Sequence, residues 1–466
     1  MSDFPNKLIA ATRTDGLGGR LLAIVNAKCL ADRMGCRFGF TWNSQAAKTM
    51  EFHSIDPVET VFSAEFIDRH WLGETVEVAD FSELGRARLT RASLEAEALR
   101  TDARGWICND FSALELLREG WAKDWLPGNR VARWKSETFR TLGFSDAVRA
   151  MFDAAGECRF PRPMVALHLR SGDVVRGRFR TTLVFGDKAI PSTLVRAMVS
   201  KLSSKGLATL LIGQDRPTLD YLKSQTGALL TADFGADRIE DQTLKAFFEM
   251  ALMARCRRIY AGTSVFATIA SVMGGVPCLK TKALFSGARA AKIVLGELQA
   301  HQSDYHPLEA AFGYQSAFRS LEHKISSARG RDILEKAHQL DPENDAYVLK
   351  MAVLHFREKN YAAGEALLKS MMSRQFLTAA KIPLPVMQVL TVKVWRNHHL
   401  AKDFRFIFDA AKAGHPYAAV CAAHILSAAL GDRKSALQMA TISLAAEPES
   451  ALFQQVKAAI QSASTT

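Results

Sequence analysis

The chain has 466 residues, 48% of them hydrophobic and 23% charged, a balance that fits two or three globular domains and excludes disordered and fibrous proteins. No apolar run reaches the roughly 18 residues of a membrane span. The net charge is +12, from 60 basic and 48 acidic residues, yet there is no helix-turn-helix, zinc-finger or RNP-type motif, so nucleic acid is not an expected partner.

The excess charge is spread along the chain apart from Arg170, Arg176, Arg178 and Arg180, a cluster suited to a smaller anion such as a phosphate ester. The start, MSDFPNKLIAATRTDGLGGR, lacks the apolar stretch and small-residue cleavage site of a signal peptide. Seven cysteines without a C-x-x-C pair read as reduced thiols. The expectation is a cytoplasmic protein with at most peripheral contact at the inner membrane.

LIAAT (8–12) predicts a strand, followed by a Gly-rich turn, a helix from Gly19 to Met34 and the strand CRFGFTW (36–42). Residues 44–160 are less regular, with Trp71, Trp106, Trp121, Trp125 and Trp134 among mixed helix and loop. A second series opens at FPRPMVALHLR (160–170) and runs through the strand TLLIG, a helix over Arg216–Thr226, the strand ALLTADF and a helix over Asp241–Arg255. The strand RIYAG, a helix through SVFATIASVMGG and the strand VPCLK follow. Such alternation implies βαβ units and parallel sheets, here two Rossmann-like lobes.

From about residue 315 no strand is expected. Paired helices with a repeat of about 34 residues place Ala337, Pro342, Ala352, Tyr361, Gly364 and Leu368 where a tetratricopeptide repeat keeps its small and bulky residues. Gly431, Ala436 and Pro448 repeat the ending, and 379–416 reads as a degenerate unit with extra residues. The fold class is therefore α/β, with an all-α, tetratricopeptide-like helical tail.

Several chemistries lack their residues. There is no Asp-x-Asp clamp for a metal–nucleotide complex, no H-E-x-x-H, no Cys/His set and no G-x-x-x-x-G-K-[ST] loop. GTSVF lacks the final glycine of a nucleophile elbow. Three segments remain. TDGLGGR (14–20) lies between strand and helix, where glycines expose amides at a helix N-terminus. VALHLRSGDVVRGRFR (165–180) leaves a buried strand, placing Arg170 where parallel sheets bind ligands and His168 on the same side. YAGTSVFATIASVMGG (260–275) offers Thr263 and Ser264 as caps facing an anion.

Together these segments resemble the fucosyltransferase superfamily of the GT-B fold, which covers α1,2-, α1,6- and protein O-fucosyltransferases. LHLRSGD resembles its H-x-R-x-G-D motif, DGLGGRLLAIVNAKCLADRMG its Gly-rich loop and helix, and DQTLKAFFEMALMARCRRIYAGTSVFATIASVMGG its third motif. The resemblance covers about residues 1–300. It implies an acceptor-side lobe at 1–158 and a nucleotide-sugar-binding lobe at 159–310; the helical tail at 311–466 lies outside it.

By that resemblance, Arg170 binds the β-phosphate of GDP-fucose and stabilises the leaving GDP. Gly16, Gly18, Gly19, Arg20 and His168 line the nucleotide site, Thr263, Ser264 and Val265 cradle the pyrophosphate, and Asp233 contacts guanine. The implied reaction is inverting and needs no metal or other cofactor. It moves fucose, or another GDP-linked sugar, to a bacterial glycan, glycolipid or protein acceptor. VVRGRFR has no carboxylate where α1,6-enzymes carry a glutamate base, so Asp173 is the first candidate, as base or as a residue orienting Arg170, with Asp15 and Asp187 behind it. The tail is expected to serve a homodimer or a protein partner. The alternatives are a GT-B enzyme using another nucleotide sugar, and a non-catalytic tetratricopeptide adaptor with a degenerate enzyme half.

Overall fold

Aliphatic runs become strands where neighbours satisfy their backbone on both sides. The computed structural model describes residues 4–45, 54–84, 104–109, 128–177, 179–379, 381–394 and 397–462; Trp121, Trp125 and Arg178 lie outside them. Contacts divide the chain into two units, residues 1–172 with 196–283, and residues 173–195 with 284–466. This division is coarser than three domains, since both large sheets belong to the first unit.

The first sheet comprises β1 (Leu8–Ala11), β2 (Arg37–Phe40), β3 (Phe81–Glu83) and β4 (Gly105–Cys108) in the order β2-β1-β4-β3, all parallel. β4 was hidden in the sequence because GWIC shows no alternation. Its Gly105 has φ +149°, and a Cβ there would collide with the Leu8 backbone, so only glycine lets β4 lie against β1. Helix α1 (Leu17–Met34) follows β1 and is buried along most of its length, as befits an interior helix. It ends where Gly35 turns left-handed.

The second sheet holds β5 (Met164–Leu169), β6 (Ala208–Gly213), β7 (Leu229–Leu230), β8 (Ile259–Ala261) and β9 (Cys278–Leu279), ordered β7-β6-β5-β8-β9 and parallel throughout. Every residue of β5 is buried, the signature of a strand covered on both faces. The expected strand ALLTADF is corrected: only Leu229–Leu230 is extended. Asp233 accepts a hydrogen bond from the Leu230 N–H at 2.9 Å and curls the chain into a 3-10 turn over Thr231–Phe234. One apolar core joins both sheets, running from Ile9 and Leu21 to Phe247, Ile259 and Ile269.

The chain passes from β5 to β6 and β7 on one side, then returns to place β8 on the other. The crevice between the C-terminal ends of β5 and β8 is thus a topological switch point.

In the second unit, helices over Ser327–Leu340, Asp345–Arg357 and Tyr361–Ala379 pack each on the next, as do those over Phe404–Lys412, Pro416–His424, Arg433–Ala446 and Ala451–Ser462. Ala337, Ala352, Leu368 and Ala436 are fully buried at these contacts. The all-α expectation needs one correction. Lys393–Val394 pairs antiparallel with Asn397–His398, and strands this short leave no periodicity to read. The surrounding segment is pinned by Lys350, whose buried ammonium reaches Glu322 at 2.6 Å and Asp403 at 2.5 Å.

A Cβ on Gly364 would lie 2.9 Å from the Ala352 carbonyl oxygen and against the Phe356 ring. Gly364→Ala should therefore destabilise the protein by about 1–3 kcal/mol, although alanine favours helix by about 1 kcal/mol over glycine. Urea unfolding checks this; an unchanged or raised midpoint would contradict the close approach.

Candidate functional site

β5 delivers the central pair. His168 is the fifth residue of the strand, in register with Ile212 of β6 and Ala261 of β8, and Arg170 is the first residue beyond Leu169, half-buried. Burial, with Arg170 adding like charge, pushes the His168 imidazole down to about 4. At neutral pH it is an uncharged ring beside a fixed cation. His168 Nδ1 is buried with no hydrogen-bond partner, and the ring lies 5.5 Å from that of Phe266.

Phe266 lies in the first turn of the helix over Val265–Gly274, α2, which follows β8. Ser264 caps α2, its hydroxyl accepting from the Ala267 N–H at 3.4 Å, so that hydroxyl is engaged in the cap. Thr263, exposed before it, accepts a hydrogen bond from Lys280 Nζ at 3.0 Å. Lys280, just beyond β9, was not singled out in the sequence, and neither was Phe266. Charge near a capped helix was the available signal for the first; nothing in the pattern marked the second.

The Gly-rich loop comes to the same place. Gly16 caps α1 without a side chain and has open space where a Cβ would be. A Cβ on Gly18 would stand 3.1 Å from both Cα and N of Phe266, so the starts of α1 and α2 approach backbone to backbone. Gly19 leaves room for Asp15, which pairs with Arg13 at 2.5 Å.

Arg20 has a different place from the one expected. It is 1% exposed, and its guanidinium donates to the carbonyls of Asp15 (2.6 Å), Asn43 (2.9 Å) and Thr14 (2.8 Å) and to Asn43 Oδ1 (3.0 Å). It shapes the loop from within. Burial lowers its pKa, with Asp15 opposing.

Asp233 follows edge strand β7, separated from β5 by β6. Besides the Leu230 amide it pairs with Lys223. Burial alone would raise its carboxyl, but Lys223, the Leu230 N–H and Arg216 outweigh that and hold it below the usual range. Asp173 is the second residue of the turn over Gly172–Arg176 and is 4% exposed. Val265 is half-buried as the first residue of α2. The structure thus gathers Gly18, Val265, Phe266 and His168, with Arg170 alongside. Arg180 instead pairs with Asp341 and Glu343. Among the described residues, no three His, Cys, Asp or Glu side chains group as metal ligands, and no helix is long and apolar enough to cross a membrane.

No family model matches the chain, and no curated protein sequence matches it. Among solved structures it is similar, at 15% identity and TM-score 0.36, to fucosyltransferase NodZ from Bradyrhizobium, over 61% of this chain and 97% of that chain. It is similar at 16% identity and TM-score 0.31 to NodZ α-1,6-fucosyltransferase soaked with GDP-fucose, over 57% and 92%. For POFUT1 in complex with GDP the values are 13%, 0.33, 60% and 99%. Scores of this size bear no functional conclusion, which rests on the residues above.

The neutral His168 has a consequence for stability. Its folded-state pKa lies below the ~6.5 of a free imidazole. The unfolded chain takes up the proton first, so stability is lost as pH falls from about 6.5 towards 4. Between pH 7 and pH 5 this removes about 2 kcal/mol. His168→Gln should flatten the difference between urea unfolding at the two pH values by that order. An unchanged difference would mean that His168 is not held neutral by burial.

Proposed function

We propose that this chain is an inverting, metal-independent glycosyltransferase of GT-B type, with a lobe at 1–158, a nucleotide-sugar lobe at 159–310 and tetratricopeptide-like repeats at 311–466. Its donor is a GDP-sugar, with GDP-fucose first among them, and its acceptor a glycan, glycolipid or protein. The observation that carries this reading is the meeting of two helix N-termini at Gly18 and Phe266, beside His168 and Arg170 at the switch point of the sheet.

Two helix N-termini direct amides and positive dipole ends towards an anion. Arg170 adds a permanent charge and a planar fork that can hold two phosphate oxygens. In the reaction, the acceptor oxygen bonds to the anomeric carbon as the bond from that carbon to the diphosphate breaks. The acceptor proton passes to a base, and the electron pair leaves with GDP. Arg170 and the amides neutralise the charge growing on the departing diphosphate, the role a metal plays elsewhere. The neutral His168 can donate or accept a hydrogen bond there without competing for charge. Asp173 is the base we assign first, with Asp15, paired with Arg13, and Asp187, paired with Arg319, behind it.

Thermal shifts with GDP, UDP and ADP in EDTA test donor class, since a nucleotide at 100 Kd stabilises by about 2.7 kcal/mol. GDP should shift most. Arg170→Lys should lose about 10²–10³ in turnover, nearly as much as Arg170→Ala, because lysine keeps the charge but not the fork. A folded Arg170→Ala with native GDP affinity and turnover would overturn the reading. Loss of turnover in EDTA, restored by Mn²⁺ or Mg²⁺, would overturn metal independence.

A further inference from the structure

The segment that follows Arg170 belongs, by its contacts, to the helical unit: residues 173–195 group with 284–466. The links are of several kinds. Arg180 Nε lies 3.3 Å from Asp341 Oδ1, and its Nη2 lies 2.6 Å from Glu343 Oε2. The Arg180 carbonyl accepts from Asn344 Nδ2 at 3.1 Å. Ser192 Oγ donates to Glu309 Oε2 at 2.9 Å, both residues buried. Val174, Val175 and Ala189 share an apolar cluster with Phe312. A Cβ on Gly313 would approach Thr193 Oγ1 to 2.8 Å, so the backbone of the helix over Pro307–Leu321 lies close against the segment.

Arg180 differs from a surface ion pair. Its side chain is 22% exposed and that of Asp341 only 4%. An isolated exposed pair contributes little, whereas removing one partner of a buried pair leaves an uncompensated charge. Asp341 and Asn344 sit at the turn between the helices over Ser327–Leu340 and Asp345–Arg357, where tetratricopeptide-type units carry a connecting loop. That turn holds Arg180 by its side chain and by its backbone at once.

We propose that the helical region anchors the segment carrying Asp173, and that Arg180 is the positioning residue through which the anchor acts. The helical region then orders a segment of its own unit. The catalytic consequence rests on the donor-site reading above; the anchoring does not.

Hydrogen exchange of the full-length protein without ligand tests the anchoring. In Arg180→Ala, amides of residues 173–182 should exchange about tenfold faster or more, with strands 164–169 and 208–213 unchanged. Arg180→Lys should recover part of that protection. Turnover, read as GDP released from GDP-fucose, should fall about tenfold to a hundredfold in Arg180→Ala while GDP affinity stays within about threefold. If Arg180→Ala does not fold, Glu343→Gln, which removes only the exposed partner, should still raise exchange in 173–182 by about twofold. Unchanged exchange there, or an equal rise throughout the protein, would overturn the anchor. Weakened GDP binding with unchanged turnover would overturn the positioning role. If GDP fails to bind the unaltered protein, the donor reading falls while the exchange result still decides the anchor.

Discussion

The site depends on one steric fact: Gly18 has no side chain. The first turn of α1 faces the first turn of α2, and a methyl group at residue 18 would sit 3.1 Å from the Phe266 backbone. That distance is shorter than carbon atoms comfortably tolerate, so any other residue would push the two helix starts apart. Their amides reinforce each other only over a short range, because the field of a helix end decays within its first turn. Two sheets of separate sequence origin thereby share one edge, built from β1 and its loop on one side and β8 and its loop on the other.

Three arginines show that residue type alone does not specify a role. Arg20 spends its donors on the Thr14 and Asp15 carbonyls of its own loop and on Asn43. Arg180 spends its own on Asp341 and Glu343. Arg170 stands at the end of a buried strand, where its charge is felt by a desolvated imidazole. The sequence shows four clustered arginines and suggests a collective anion site. In the structure, Arg180 turns to a pair of carboxylates far along the chain, and Arg20 supports from beneath the loop that a sequence reading would have it line.

What was legible in the sequence was what local chemistry controls. The β1 turn and α1, β5 with His168 and Arg170, and the Ser264 cap all follow from runs of aliphatic residues, glycines and cap residues within a few positions. What stayed hidden depends on distant partners. β4 is a strand because β1 and β3 flank it, and GWIC by itself carries no such message. The strand expected through Asp233 stops early because that carboxylate finds the Leu230 amide and Lys223. The hairpin at Lys393–Val394 and Asn397–His398 is too short for any period to register. Phe266 looked like one more apolar residue of a helix, yet it lies between Gly18 and His168.

His168 connects this packing to chemistry. A histidine flanked by a cation and cut off from water cannot hold a proton at neutral pH. Its neutrality therefore follows from being set among Ile212, Ala261 and Phe266 with Arg170 as neighbour, the same arrangement that builds the strand end. A charged imidazole would cost desolvation and repel Arg170; a neutral one keeps a nitrogen for hydrogen bonding and leaves the fixed positive charge to Arg170. An incoming diphosphate would reverse part of that balance, because a nearby anion favours the protonated ring. The apolar surroundings of His168 thus keep its ring uncharged and leave the positive charge at the strand end to Arg170.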